Sequence, residues 1–408
     1  MEFTVEIDKI SEKGNSLSFD IKGNQVFGLH KSFVNSIRRT LLSAIPTVGF
    51  RTDINDSDIK ILKNNTSLHN EFLLNRIALI PLYIDPQTYK KQYLFKLSVI
   101  NSVESPITSI TANDFQIYPL KGSVNHELIQ EINLDDYDLL HPLSDKEKKQ
   151  IFRPFSFKNK DEYCLLTELR KTNSSIKEEL ELYGVPSVSY AYENSRWQAV
   201  SRASYMFKKN EALFNQILQD KLKHIDDKEE QEDLKRSLYI SESERYFHRD
   251  KETEPYWYTF TVDSVHFMNS KELLIYANQI IIDQLQIIKE EFPKLSTKEA
   301  SIMNIKSLKN NIYQISIQGF DDTIGNLLQS YISTKMIDDK SILSICGYKR
   351  VHPLEETIIF NISLNKLHTI RDAPETQKLF SLIQYFRDAC DALTHIFTTI
   401  KNETDVSL

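Results

Sequence analysis

Adjacent carboxylates are where phosphoryl-transfer chemistry would start, and the chain has aspartate pairs at 135–136, 226–227, 321–322 and 338–339. A two-metal centre needs carboxylates clustered tightly enough to clamp both ions. None of these pairs has the spacing of a metal-clamping aspartate loop, and turn or helix-cap roles account for them. The three cysteines, Cys164, Cys346 and Cys390, lie far apart, whereas a structural zinc site draws on four convergent ligands, usually in close pairs. Ten histidines include no H-E-x-x-H, and nine glycines form neither G-x-G-x-x-G nor a phosphate loop. The expectation is a chain with no catalytic residue, no cofactor and no metal of its own.

Two basic constellations remain. Lys90, Lys91, Lys146, Lys148 and Lys149 are the raw material for a stand-alone nucleic-acid-binding regulator. A net charge of −7, Glu147 inside the second cluster and little aromatic interleaving count against it. Arg38 and Arg39 are adjacent, so on a helix they project about 100° apart and at most one lies near an apolar stripe. They are either a solvated pair or a guanidinium fork that grips carboxylates or carbonyls of a partner.

The elements that would hold these residues follow from periodicity. Phe3, Val5 and Ile7 alternate, as do Leu17, Phe19 and Ile21 after a Lys13-Gly14-Asn15 turn, which predicts a β-hairpin and not a signal peptide. From Ser32, read as an N-cap, Val34, Ile37, Leu41, Ala44 and Ile45 form one helical stripe that Pro46 ends. Residues 257–265 read as a strand and 271–291 as a helix closed by Pro293. Farther along, Ile312, Ile315 and Ile317 lead to Gly319. A helix then carries Ile324, Leu327, Leu328, Tyr331 and Ile332. Residues 357–364 alternate, and a long helix from about Glu375 bears Phe386 and Leu393 on its apolar side.

The same programme therefore runs twice: hairpin, short helix, strand, long helix. Ser32-Phe33-Val34-Asn35-Ser36-Ile37 aligns with Thr323-Ile324-Gly325-Asn326-Leu327-Leu328. Each unit has one apolar sheet face to cover, and pairing the two units covers both. The expected class is α+β. Residues 1–46 and 190–293 make the first unit, broken by an insertion domain (47–189) and a charged, solvated arm (208–254) in which 211–222 is a helix candidate. Residues 294–310 are a linker and 311–408 the second unit. Residues 121–149 read as a loop and 70–77 as a short helix. The seam is expected at Val34, Asn35, Ile37, Leu41, Ile324, Asn326, Leu328, Phe386 and Leu393. No stretch approaches the roughly 18 apolar residues of a membrane span.

Several segments resemble the alpha-like subunits of multisubunit DNA-directed RNA polymerase. SFVNSIRRTLLSAIP (32–46) is similar to their first-helix motif, and NTSLHNEFLLNRIALIPL (65–82) to the archaeal and eukaryotic form of the third-largest subunit. YENSRWQAVSRASY (192–205) resembles the segment closing the insertion domain, with Ala199 where proline is usual. DDTIGNLLQSYI (321–332) and GYKRVHPLEETIIFNI (347–362) resemble the small eleventh-subunit-type partner, with Asp322 where histidine is usual.

The resemblance implies two normally separate subunits in one chain, packed as an intramolecular pseudo-heterodimer. Its role would be a non-catalytic platform on which the largest and second-largest subunits, with other small ones, assemble. DNA would be met only through the complex, and no membrane is implied. Arg38 and Arg39 would grip the second-largest subunit, and His352 and Glu355 would contact a large subunit. The other repeat has Gln329 and Ser330 in the slots of the arginine pair. The single insertion-domain cysteine, Cys164, carries over neither the cysteine cluster nor the iron–sulfur site of some relatives. Fusion of this kind resembles what some nucleocytoplasmic large DNA viruses encode, and richness in Ile, Lys and Asn agrees. The setting is then intracellular and reducing: a host cytoplasmic factory and virion, or a nucleus.

Overall fold

The computed structural model describes residues 3–24, 28–53, 56–90, 92–101, 106–119, 140–158, 160–171, 177–223, 225–250, 254–297, 301–308 and 311–408. The chain divides into two compact units, one of residues 1–42, 202–264 and 270–408, the other of 43–201 and 265–269.

The first unit contains two antiparallel sheets of the same topology. Strands β1 (Val5–Lys13), β2 (Ser16–Gly23), β3 (Val200–Phe207) and β4 (Trp257–Ser264) lie in the order β1-β2-β4-β3. Strands β5 (Met303–Ser307), β6 (Ile312–Gln318), β7 (Leu343–Arg350) and β8 (Thr357–Leu364) lie in the order β5-β6-β8-β7. A short helix follows the second strand of each sheet: α1 (Lys31–Ser43) and α5 (Asp322–Tyr331). A long helix follows the fourth: α4 (Ser270–Thr297) and α6 (Glu375–Ser407). The registers match too. Leu17, Phe19 and Ile21 face Val262, Phe260 and Tyr258. Tyr313, Ile315 and Ile317 face Ile362, Phe360 and Ile358. All twelve are buried, so period-two spacing has put one face of each sheet into the core.

The two halves of this unit meet through aromatic contacts. Phe33 of α1 lies 6.4 Å from the ring of Tyr331 and 6.3 Å from that of Phe397 on α6. Phe292 of α4 lies 6.1 Å from Phe386 of α6, which stands edge-on to Phe360 of β8 at 5.5 Å. Gly325 lets α5 approach β7 closely: a Cβ there would come within 2.7 Å of the Tyr348 ring.

Several expectations need correction. Pro293 lies inside α4, which runs to Thr297. Proline removes one backbone donor, but the Glu291 carboxylate ties the following chain back, accepting from Ser301 Oγ at 2.9 Å and Ile302 N–H at 3.3 Å. The presumed linker, 294–310, contains strand β5, which pairs in full register with β6; positions 298–300 and 309–310 lie outside the described residues. His30, not Ser32, caps α1, its Nδ1 accepting the Ser32 N–H at 3.1 Å. In the charged arm the helix candidate 211–222 is helical, and the rest is not a solvated strand of chain: α2 (Glu211–Leu222) and α3 (Lys228–Ser241) form a helical hairpin around Phe214, Leu218 and Leu238.

The second unit is built on a four-stranded antiparallel sheet in the order Ile59–Asn64, Glu179–Gly184, Tyr93–Ile100, Gln116–Pro119. Phe50, Phe95, Phe115 and Phe152 cluster in its core, with ring separations of 5.3 Å to 6.5 Å. The short helix is Asn70–Ala78. Of the segment read as a loop, 121–139 lie outside the described residues, and Asp145–Phe152 is a helix. Its start carries an S-x-x-E capping box, Ser144 with Glu147. Trp197 is buried against Gly49, and Arg196 donates to Thr52 Oγ1 at 2.6 Å, so both pack this unit.

Candidate functional site

Helix α1 has a buried stripe because its apolar residues fall three and four apart. Phe33, Val34, Ile37 and Leu41 are buried, as are Ile324 and Leu328 of α5 and Phe386 and Leu393 of α6. The polar edge of α1 meets the start of α5. Asp321 caps α5 by accepting the Thr323 N–H at 2.9 Å, and its other oxygen takes the Thr323 hydroxyl at 3.1 Å. Arg39 reaches the same cap. Its Nε donates to Thr323 Oγ1 at 2.8 Å and its Nη2 to Asp321 Oδ2 at 3.0 Å. Ser32, Asn35, Ser36, Arg39, Asp322, Thr323, Asn326 and Tyr348 line a polar notch of about 140 Å³ there.

The adjacent arginines thus do different things. Arg39, expected to face a large subunit, has two of its donors engaged within the chain. Arg38 donates through Nε to Asn35 Oδ1 at 2.9 Å. Asn326, aligned with Asn35, accepts from Ser330 Oγ at 3.3 Å. Both asparagines line the notch and are half-buried. His352 and Glu355 lie apart from it, in the exposed turn between β7 and β8. His352 Nδ1 accepts the Leu354 N–H at 3.1 Å, and the Glu355 carbonyl accepts from Arg350 Nε at 2.8 Å.

Sequence reasoning missed Phe33, Tyr331 and Phe397 as the aromatic contact between the halves, although Phe33 stands in the quoted motif. It also gave Asp321 only a cap role. The second role, counter-ion to Arg39, spans 282 positions and leaves no local signal. The aspartate pairs whose contacts are described serve as caps or turns: Asp227 accepts the Glu229 N–H at 3.1 Å and Asp338 the Lys340 N–H at 2.9 Å. Pair 135–136 and Lys91 lie outside the described residues. Burial pushes the Cys346 and Cys390 thiols up to about 12, so both stay protonated near neutrality. Among the described residues no three His, Cys, Asp or Glu side chains converge as a metal site, and no helix is long and apolar enough to cross a membrane.

Comparison with known proteins finds relatives among RNA polymerase subunits. Residues 25–285 match the RNA polymerase Rpb3/Rpb11 dimerisation domain. The chain is 24% identical over 316 residues to the DNA-directed RNA polymerases I and III subunit rpac1 of Dictyostelium discoideum, covering 71% of this chain and 82% of that protein. It is 33% identical over 78 residues to the DNA-directed RNA polymerase subunit Rpo3 of Pyrococcus furiosus, covering 19% of this chain and 26% of that protein. A 90-residue match, 30% identical, joins it to the human polymerases I and III subunit RPAC1, covering 22% of each. The chain belongs to the RNA polymerase Rpb3/Rpb11 dimerisation-domain family of alpha-like subunits.

Proposed function

We propose that this chain is the assembly platform of a DNA-directed RNA polymerase, contributing no catalytic group and nucleating the two large catalytic subunits. A third-largest-type unit (1–46 and 190–293) and a small-partner-type unit (311–408) are fused and packed as an intramolecular pseudo-heterodimer, with residues 47–189 as the insertion domain. The observation that carries this reading is the doubled sheet order, with Phe33 of one half against Tyr331 and Phe397 of the other. A dimerisation fold that pairs with itself in one polypeptide has its stoichiometry set at one to one. Its pairing is intramolecular, at an effective concentration on the order of millimolar. The fusion, with the Ile/Lys/Asn-rich composition, supports an origin in a large DNA virus and work in a cytoplasmic factory, virion or nucleus.

In this reading Arg38, with its fork partly exposed beside Asn35, is the arginine turned toward the second-largest subunit. Arg39 braces the cap of α5, and His352 and Glu355 present a separate turn to a large subunit. The test is co-expression with the two largest subunits and capture through a tag on this chain. Arg38→Ala lowers recovery of the second-largest subunit, while His352→Ala/Glu355→Ala lowers recovery of a large subunit without touching that contact. Undiminished capture by both variants, or turnover by the isolated chain, sinks the proposal.

A further inference from the structure

Three ion pairs among the described residues join the two halves of the first unit with one polarity. Arg39 of α1 meets Asp321 at 3.0 Å. Lys271 of α4 lies 3.5 Å from the Asp405 carboxylate of α6 and donates to its carbonyl at 2.8 Å. Lys289 of α4 pairs with Asp391 of α6. In each pair the first half supplies the cation and the second half the anion.

The repeat makes this polarity meaningful. Ser32 aligns with Thr323, so His30 and Lys31 stand where the second half has Asp321 and Asp322. Two first halves meeting like with like would put His30 and Lys31 where Asp321 and Asp322 stand, so Arg39 loses its carboxylate partner, while Lys31 lies 3.6 Å from Glu254 of its own half. Two second halves would set Ser330, the counterpart of Arg39, against Asp321 with no cation supplied. Exposed ion pairs add little to stability. Selectivity, however, is a difference between matched and mismatched contacts, and like charges across a seam are costly.

We propose that these charges select the unlike half, so that a second copy of this chain is refused at its like half. The inference rests on reading the two halves as paired units. It answers a hazard of that architecture: two related surfaces with similar apolar stripes are each a candidate partner for themselves.

The experiment is refolding of the full chain from urea at micromolar concentration and low salt, with the dimer fraction read by light scattering. Wild type returns as monomer. Arg39→Asp sets like charges in the unlike pairing and opposite charges, through Lys31, in the like pairing, raising the dimer fraction about tenfold. Arg39→Gln raises it less, and Arg39→Asp/Asp321→Arg brings it back down. Salt at 1 M erases the differences, because the screening length falls to about 3 Å. Lys271→Glu/Lys289→Glu, at half-buried positions on α4, repeats the test should the α1 variant fail to fold. Equal dimer fractions for Arg39→Asp and Arg39→Gln, or none above wild type in either set, overturn the charge selection. The paired architecture and the large-subunit capture would stand untouched by that result.

Discussion

At the scale of single residues, His266 of the second unit is the clearest titratable probe. Its Nε2–H donates to the Pro46 carbonyl at 3.1 Å, and Nδ1 accepts the Met268 N–H at 3.2 Å. Those bonds fix the neutral tautomer, and protonating Nδ1 would break the second. Burial, opposed by the Pro46 bond, pushes its pKa down to about 4. The unfolded chain binds the proton near 6.5, so the stabilisation is present above that pH and is lost as pH falls toward about 4. Between pH 7 and 4.5 the loss comes to about 2–3 kcal/mol. Urea denaturation of wild type against His266→Gln should lose that much of the pH difference in the variant; equal pH dependence would refute the assignment. Phe33 is a second probe. Its fully buried ring touches both Tyr331 and Phe397, so Phe33→Ala should cost about 3–5 kcal/mol in a urea titration.

At the scale of elements, Gly325 gives a prediction whose sign is diagnostic. In an open helix, Gly→Ala stabilises by about 1 kcal/mol. Here the added methyl would lie 2.7 Å from the Tyr348 ring, so Gly325→Ala should destabilise by about 1–3 kcal/mol and shift the Tyr348 ring in a spectrum or structure. The helical arm is the opposite case, with a small core of its own. Phe214→Ala should speed protease cleavage within 211–241 while leaving the main melting transition in place. One cooperative transition lost together with the arm would contradict this separation.

At the scale of the whole molecule, the continuity of the chain matters less than the seam. A protease site introduced at position 299 and cut after folding should leave both fragments co-eluting, because α4 and α6 pack along their lengths through Phe292, Phe386 and their ion pairs. Separation of the fragments under native conditions would refute the paired reading. Much of this organisation was legible in the sequence. Alternation of Leu17, Phe19 and Ile21 or of Ile358, Phe360 and Ile362 can bury only one sheet face, and the three-and-four spacing of α1 and α6 can bury only one helical stripe. Strand β5 was not legible. Its Met303–Ser307 run is short and polar, and it becomes a strand because the edge of β6 is there to pair with. The helix of α4 beyond Pro293 was missed for a similar reason, since the Glu291 carboxylate that ties down the chain after it acts through contacts a local pattern cannot carry.

Periodicity and motif order were enough to determine an α+β repeat, the absence of familiar catalytic motifs and the likeness to alpha-like polymerase subunits. These are properties of neighbours along the chain. Which arginine spends its donors internally, which aspartate receives them and which rings interlock across the repeat were decided by tertiary structure alone. Arg39 meets Asp321 only because the packing of the two sheets brings α1 and the start of α5 together, and no window of local sequence contains both.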